Sequence, residues 1–159
     1  MDPRIIRNCR AFIANREVQK RELAIALKMQ IAQNQQFVEV AERLGELKPF
    51  IDYFYEDMMN KYGTAPRFYE HCGISRQVYA QMQRDNYDPR IETVYKVIIG
   101  LHMNLLDASI LLENAGYSFT FKSTTQLVII FCIINQIFNP LDVDELLTDL
   151  GEPVLFATE

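Results

Sequence analysis

Gly73-Ile74-Ser75-Arg76-Gln77-Val78-Tyr79-Ala80-Gln81-Met82 is the stretch whose reading decides the fold. Just upstream, Phe68, Tyr69 and Cys72 give a short helical pattern its apolar side, and Gly73 ends it. One branched apolar residue, Ile74, follows. Ser75 is then placed to cap a second helix running to about Arg84, with Met82 and either Val78 or Tyr79 turned inward. Two short helices around a glycine turn leave Arg76, Gln77 and Gln81 for the outer face of the second.

Working upstream, Thr64 offers an N-cap for the first of these helices, and Pro66 falls within its first turn, where a missing N–H costs nothing. Before it, Leu47, Phe50, Ile51, Phe54 and Met58 share one helical face that Gly63 closes. From Arg4 to Leu44 there is no Gly or Pro, and Ile6, Ile13, Leu23, Leu27, Ile31, Val38 and Leu44 carry an apolar pattern. One long helix or two consecutive ones is expected, the Gln- and Asn-rich stretch from Gln30 to Gln36 being the candidate place for a break.

Downstream, Asp85 to Pro89 is a loop by composition. A helix from about Arg90 to Ile99 follows, with Val94 and Ile98 inward and Gly100 near its end. Asn104, with Asp107 three residues on, opens another that Gly116 closes. Ser123 or Thr124 then caps a helix through Phe138 that is apolar nearly all round and needs cover on several sides. A strand is the competing reading for Leu127 to Ile134, where β-branched residues are frequent; length favours the helix. Asn139-Pro140 starts a final helix that ends at Gly151.

These segments predict an all-α protein in three stretches. Residues 1–45 form an N-terminal helical arm, 46–121 the central domain, and 122–159 an acidic helical extension packed on the same core. The 159 residues are 49% hydrophobic and 23% charged, enough for a real core, with a net charge of −5. The charge is unevenly spread. Residues 1–45 hold eight bases and five acids, net +3; from Lys122 onward one base faces six acids, net −5. The arm's positive charge reads either as solvation of a surface helix or as a patch that touches phosphate or an acidic partner. Cys9, Cys72 and Cys132 are odd in number and far apart, as expected of free buried thiols in a reducing cytoplasm. The N-terminus lacks a signal-peptide pattern. The longest apolar run, Leu127 to Ile134, is too short for a membrane span, which needs about 20 residues.

Residues 47–116 resemble the five-helix domain of the lambda-repressor-like, or XRE-type, helix-turn-helix family. The likeness is clearest over Cys72 to Met82 and continues through Asn86 to Pro89, Ile91-Glu92-Thr93-Val94 and Asn104-Leu105-Leu106-Asp107. It implies that the helix after Ser75 enters the DNA major groove. Ser75, Arg76, Gln77 and Gln81 would then reach base edges, arginine forking onto guanine and glutamine onto adenine. Thr64, Arg67, Asn86 and Arg90 would be phosphate contacts. The implied protein is a small transcriptional regulator or antitoxin-like repressor that binds double-stranded DNA as a homodimer.

Two positions depart from the family: Ala65-Pro66 stands where a phosphate-touching glutamine is usual, and Tyr69 where a small residue is usual. With the acidic balance, they support an alternative, a protein-interaction adaptor that keeps the fold without DNA and uses the N-terminal arm to meet a protein partner or its own symmetry mate. No phosphate loop, paired-carboxylate constellation or glycine-rich cradle is present, so no enzyme, catalytic residue, cofactor or metal is expected. His71 and His102 read as packing or surface histidines, and Cys72 as an unreactive buried thiol.

Overall fold

A computed structural model describes residues 1–44 and 49–157, with side chains through Gln30 and again from Pro49. Every regular element among the described residues is helical. The elements are α1 (Pro3–Ala14), α2 (Arg16–Leu44), a 3₁₀ turn (Phe50–Tyr53), α3 (Tyr55–Tyr62), α4 (Ala65–His71), α5 (Arg76–Met82), α6 (Ile91–Gly100), α7 (Leu105–Asn114), α8 (Thr124–Ile134) and α9 (Pro140–Asp149).

The caps read from sequence are where the helices start. Thr64 Oγ1 accepts from the Arg67 amide at 3.4 Å, Ser75 Oγ from Val78 at 3.1 Å, and Asn104 Oδ1 from Asp107 at 2.8 Å. Ser123 Oγ accepts from Gln126 at 3.3 Å and Asn139 Oδ1 from Leu141 at 2.9 Å. Each satisfies an amide that has no partner inside its own helix.

Five helices, α4 and α6 to α9, stop in one way. The amides of Ile74, Met103, Tyr117, Ile137 and Glu152 each reach back five residues, to Tyr69, Ile98, Leu112, Cys132 and Leu147. In each, the residue just before the donor is left-handed: Gly73, His102, Gly116, Gln136 and Gly151. This closure satisfies the last carbonyls of a helix. Two of the five use a residue other than glycine.

Four boundaries differ from the sequence reading. The arm does not break within Gln30 to Gln36, because glutamine is a good helix former and no Gly or Pro interrupts. It breaks at Asn15, whose backbone leaves the helix and whose Nδ2 donates to the Ala11 carbonyl at 2.9 Å. The expected single helix over Leu47 to Met58 is split at Phe54, φ −139°, whose ring is held against Phe50 and Phe68 at 5.1 and 5.8 Å. Leu47 lies outside the described residues. Helix α5 stops at Met82, two residues short. The helix expected through Phe138 stops at Ile134, where the left-handed Gln136 turns the chain.

Helix α8 is the centre of the core. No residue from Gln126 to Ile133 is more than 4% exposed. Helices α1, α6, α7 and α9 pack around it, and Phe12 of α1 meets Phe131 with ring centroids 5.7 Å apart. The first helix is therefore built into the core through Cys9 and Ile13. A second layer, α3 with α4 and then α5, buries Phe54, Met58, Phe68, Cys72 and Met82 and meets α6 at Gly100, beside Tyr62 and Cys72. Gln126 is the one polar side chain buried along α8. Its Oε1 accepts from the Thr120 and Phe121 amides at 2.7 and 3.0 Å, and its Nε2 donates to Tyr95 Oη and the Ser118 carbonyl at 3.2 and 3.1 Å. That pins the 118–121 loop, including the left-handed Phe121, to the core.

Candidate nucleic-acid interface

Helices α4 and α5 meet at the turn Cys72–Ser75. Gly73 is left-handed, φ +63°, and Ile74 is buried beneath the turn. Of α5, only Met82 is fully buried, while Val78 and Tyr79 are both half-buried. Tyr79 packs on Tyr69 of α4 with ring centroids 5.2 Å apart and planes tilted by 37°. The bulk of Tyr69 is thus matched by a second tyrosine across the helix pair, and partial burial raises the Tyr79 hydroxyl above its usual pKa against a hydrogen bond from Gln83.

The sequence-predicted residues fall at four places. Arg76, Gln77 and Gln81 stand exposed on α5, with Ser75 at its cap. Arg90 stands at the start of α6 and lines, with Gln81, a cleft of about 510 Å³ between α5 and α6. Asn86 is exposed in the intervening loop. Thr64 caps the start of α4 and Arg67 lies in its first turn, both exposed. The structure brings Gln81 and Arg90 to one cleft, which Thr64 and Arg67 do not line.

Lys96 is the residue that sequence reading missed. It lines the same cleft, and its Nζ donates to the Gly73 carbonyl at 2.9 Å. The available signal was a lone base in the otherwise apolar run Val94 to Ile99. Its carbonyl partner lies 23 residues away, beyond the reach of local pattern.

Charge around this surface is mixed: Arg76, Arg84, Arg90 and Lys96 against Asp85, Asp88 and Glu92. Part of the basic N-terminal segment is engaged elsewhere. Arg10 forks onto Asp149 of α9, Nε to Oδ2 at 2.7 Å and Nη2 to Oδ1 at 2.5 Å. This hydrogen-bonded pair holds the Asp149 carboxyl below its usual pKa. Arg16 donates to the Lys122 carbonyl and to Thr124 Oγ1, both at 3.2 Å, and the N-terminal ammonium lies 3.7 Å from Glu145. For Arg10 and the N-terminal ammonium, the acidic partner is the chain's own C-terminal extension.

The other candidate groups are packing groups. The cysteines are free and buried. Burial pushes the Cys72 thiol up to about 12, and burial with the nearby Asp149 charge pushes Cys9 up to about 11. Both stay protonated at neutral pH and are poor nucleophiles. His102 stacks on Phe138 at 4.5 Å with planes 8° apart, and its Nδ1 lies 3.1 Å from Lys61 Nζ. An ammonium only donates, so Nδ1 accepts and the ring's proton is on Nε2. Partial burial, then the Lys61 charge, lowers its pKa. No group of three metal-ligating side chains comes together among the described residues. No helix among them is long and apolar enough to cross a membrane.

Comparison of the chain with protein-family models, curated proteins and solved structures finds no match.

Proposed function

We propose that this chain is a lambda-repressor-like helix-turn-helix protein that reads double-stranded DNA through α5, as a homodimeric transcriptional regulator or antitoxin-like repressor. The observation that carries it is the outer face of α5. Arg76, Gln77 and Gln81 are side chains that fork onto base edges, and all three are open to solvent on a helix whose other side is anchored by Met82. The helix begins at a glycine turn with its first amides capped by Ser75, which leaves Arg76 and Gln77 at the end that such helices present to the groove. Arg90 and Asn86 flank it as phosphate contacts, and Thr64 and Arg67 reach a more distant phosphate across α4.

The test is a titration of duplex DNA carrying a randomised 20-base-pair core, at several salt concentrations, with sequencing of the retained fraction. Wild type should weaken with rising salt and enrich a sequence. Arg76→Ala/Gln77→Ala should bind the enriched sequence at least about tenfold less well, each lost bidentate contact being worth ~1–3 kcal/mol. Equal binding by both proteins at every salt concentration sinks the groove-reading role.

One observation favours the second reading, a protein-interaction adaptor. Val18, Ile25 and Met29 of α2 are 45, 56 and 61% exposed and fall on one stripe of the helix, opposite the packed Leu23 and Leu27. An exposed stripe of this kind is what a partner helix covers. Retention of an unrelated protein in place of duplex, lost in Ile25→Asp, would move the assignment to the adaptor.

A further inference from the structure

The turn that launches α5 is held from two directions by parts of the chain far away in sequence. From one side, Lys96 of α6 donates to the Gly73 carbonyl at 2.9 Å. From the other comes the C-terminal tail. Gly73 has so little room there that a Cβ on it would lie 3.0 Å from the Phe156 carbonyl oxygen. The tail is itself anchored. Asp144 on α9, 6% exposed, accepts from three consecutive amides: Leu155 at 2.7 Å and Phe156 at 3.1 Å through Oδ1, and Ala157 at 2.8 Å through Oδ2.

A seven-residue helix is far below the ~12–15 residues at which a helix holds itself in water. Its pose therefore comes from its neighbours. Val78, Tyr79 and Met82 set how α5 lies on the core, while the turn sets where it starts and in which direction its first residues point. Those first residues are Arg76 and Gln77.

We infer that Lys96 and Asp144 are positioning residues for the α5 face: Lys96 by gripping the turn, Asp144 by pinning the tail that braces it. The inference rests on the reading of α5 as the DNA-contacting helix. It also gives the acidic extension a task, that of fixing the geometry of the α5 face. Neither residue touches DNA in this scheme. Loss of either should lower discrimination between sequences, and loss of Asp144 should leave general attraction to duplex unchanged, because contacts to base edges need alignment and contacts to phosphate need much less.

The experiment has two readouts on the full chain. The first is amide hydrogen exchange. In Asp144→Ala and Lys96→Met, the amides of Ile74, Val78 and Tyr79, each bonded at or across the turn, should exchange at least tenfold faster than in wild type. Those of Leu127 to Ile133 should be unchanged. The second is the randomised-core duplex selection. Asp144→Ala should retain total duplex within about twofold of wild type, and both variants should lose tenfold or more of the preference for the enriched sequence. Lys96→Arg, which keeps a donor, should restore both readouts. Asp144→Asn, which keeps one acceptor oxygen, gives an intermediate exchange rate and serves if Asp144→Ala fails to fold.

Unchanged exchange at Ile74, Val78 and Tyr79, with only the tail amides accelerated, overturns the positioning role. So does accelerated exchange combined with an undiminished sequence preference. If wild-type protein enriches no sequence, the DNA reading fails, and the exchange rates alone then decide whether the turn is held as described.

Discussion

Helix α8 keeps every residue from Gln126 to Ile133 at or below 4% exposure, whereas α5 fully buries only Met82 and leaves Arg76, Gln77, Ala80 and Gln81 in solvent. Both begin at a serine cap, Ser123 and Ser75. They differ in what holds them after that. Burial of a Leu, Ile, Val or Phe side chain contributes ~1.5–3 kcal/mol, so α8 is held many times over by its own side chains. Helix α5 is held mainly by others: Tyr69 against Tyr79, Lys96 at its turn, and the tail behind Gly73. A helix held from outside has its remaining face available for a partner. One held by its own side chains on every face has none to offer.

The largest expected effect tests the first half of that contrast. Ile130→Ala, at a fully buried site surrounded on all sides, should destabilise the chain by ~2–5 kcal/mol in chemical denaturation, the lost transfer energy plus the cavity left behind. A cost under ~1 kcal/mol would mean that α8 is not the packed centre described here.

The second effect lies where the two layers touch. Gly100 ends α6 with its backbone against Cys72, and a Cβ there would lie within 2.2 Å of the Cys72 sulfur. The Tyr62 hydroxyl donates to the Gly100 carbonyl at 2.6 Å, so the approach is fixed from the α3 side as well. Gly100→Ala should cost at least ~1–3 kcal/mol through overpacking. Cys72→Ala/Gly100→Ala should recover part of that loss, because the clashing atom is gone. A double variant as unstable as the sum of the singles would show that the clash is not the cause.

Gly100 also marks where the sequence was legible and where it was not. Local grammar carried well: five serine, threonine and asparagine caps were readable, as was the helical nature of the Leu127 to Ile134 run, because caps and apolar periodicity act within one turn. Glycine was legible only as a stop signal. Gly100 reads as the end of a helix, yet the left-handed residue is His102, and Gly100 is there for room beside Cys72, 28 residues earlier. The converse error lengthened α8 by four residues, because its stop is a left-handed glutamine, Gln136, with no composition to announce it. For the candidate site, Arg76, Gln77, Gln81 and their cap were visible because they lie within one helix. Lys96, Asp144 and Phe156, which hold that helix in place, act through contacts of long sequence separation and leave no periodic trace.

The smallest expected effect bears most directly on α5. Arg76→Ala/Gln77→Ala, the pair used to test groove reading, should change stability by less than ~0.5 kcal/mol, since both side chains are exposed and neither packs against the core. Thermal or chemical denaturation of the same preparation used for DNA binding checks this. Loss of sequence preference with unchanged stability would separate the outer face of α5 from the fold that carries it. A loss of more than ~1 kcal/mol would instead show that these side chains support the helix, and the openness of that face would no longer argue for a partner.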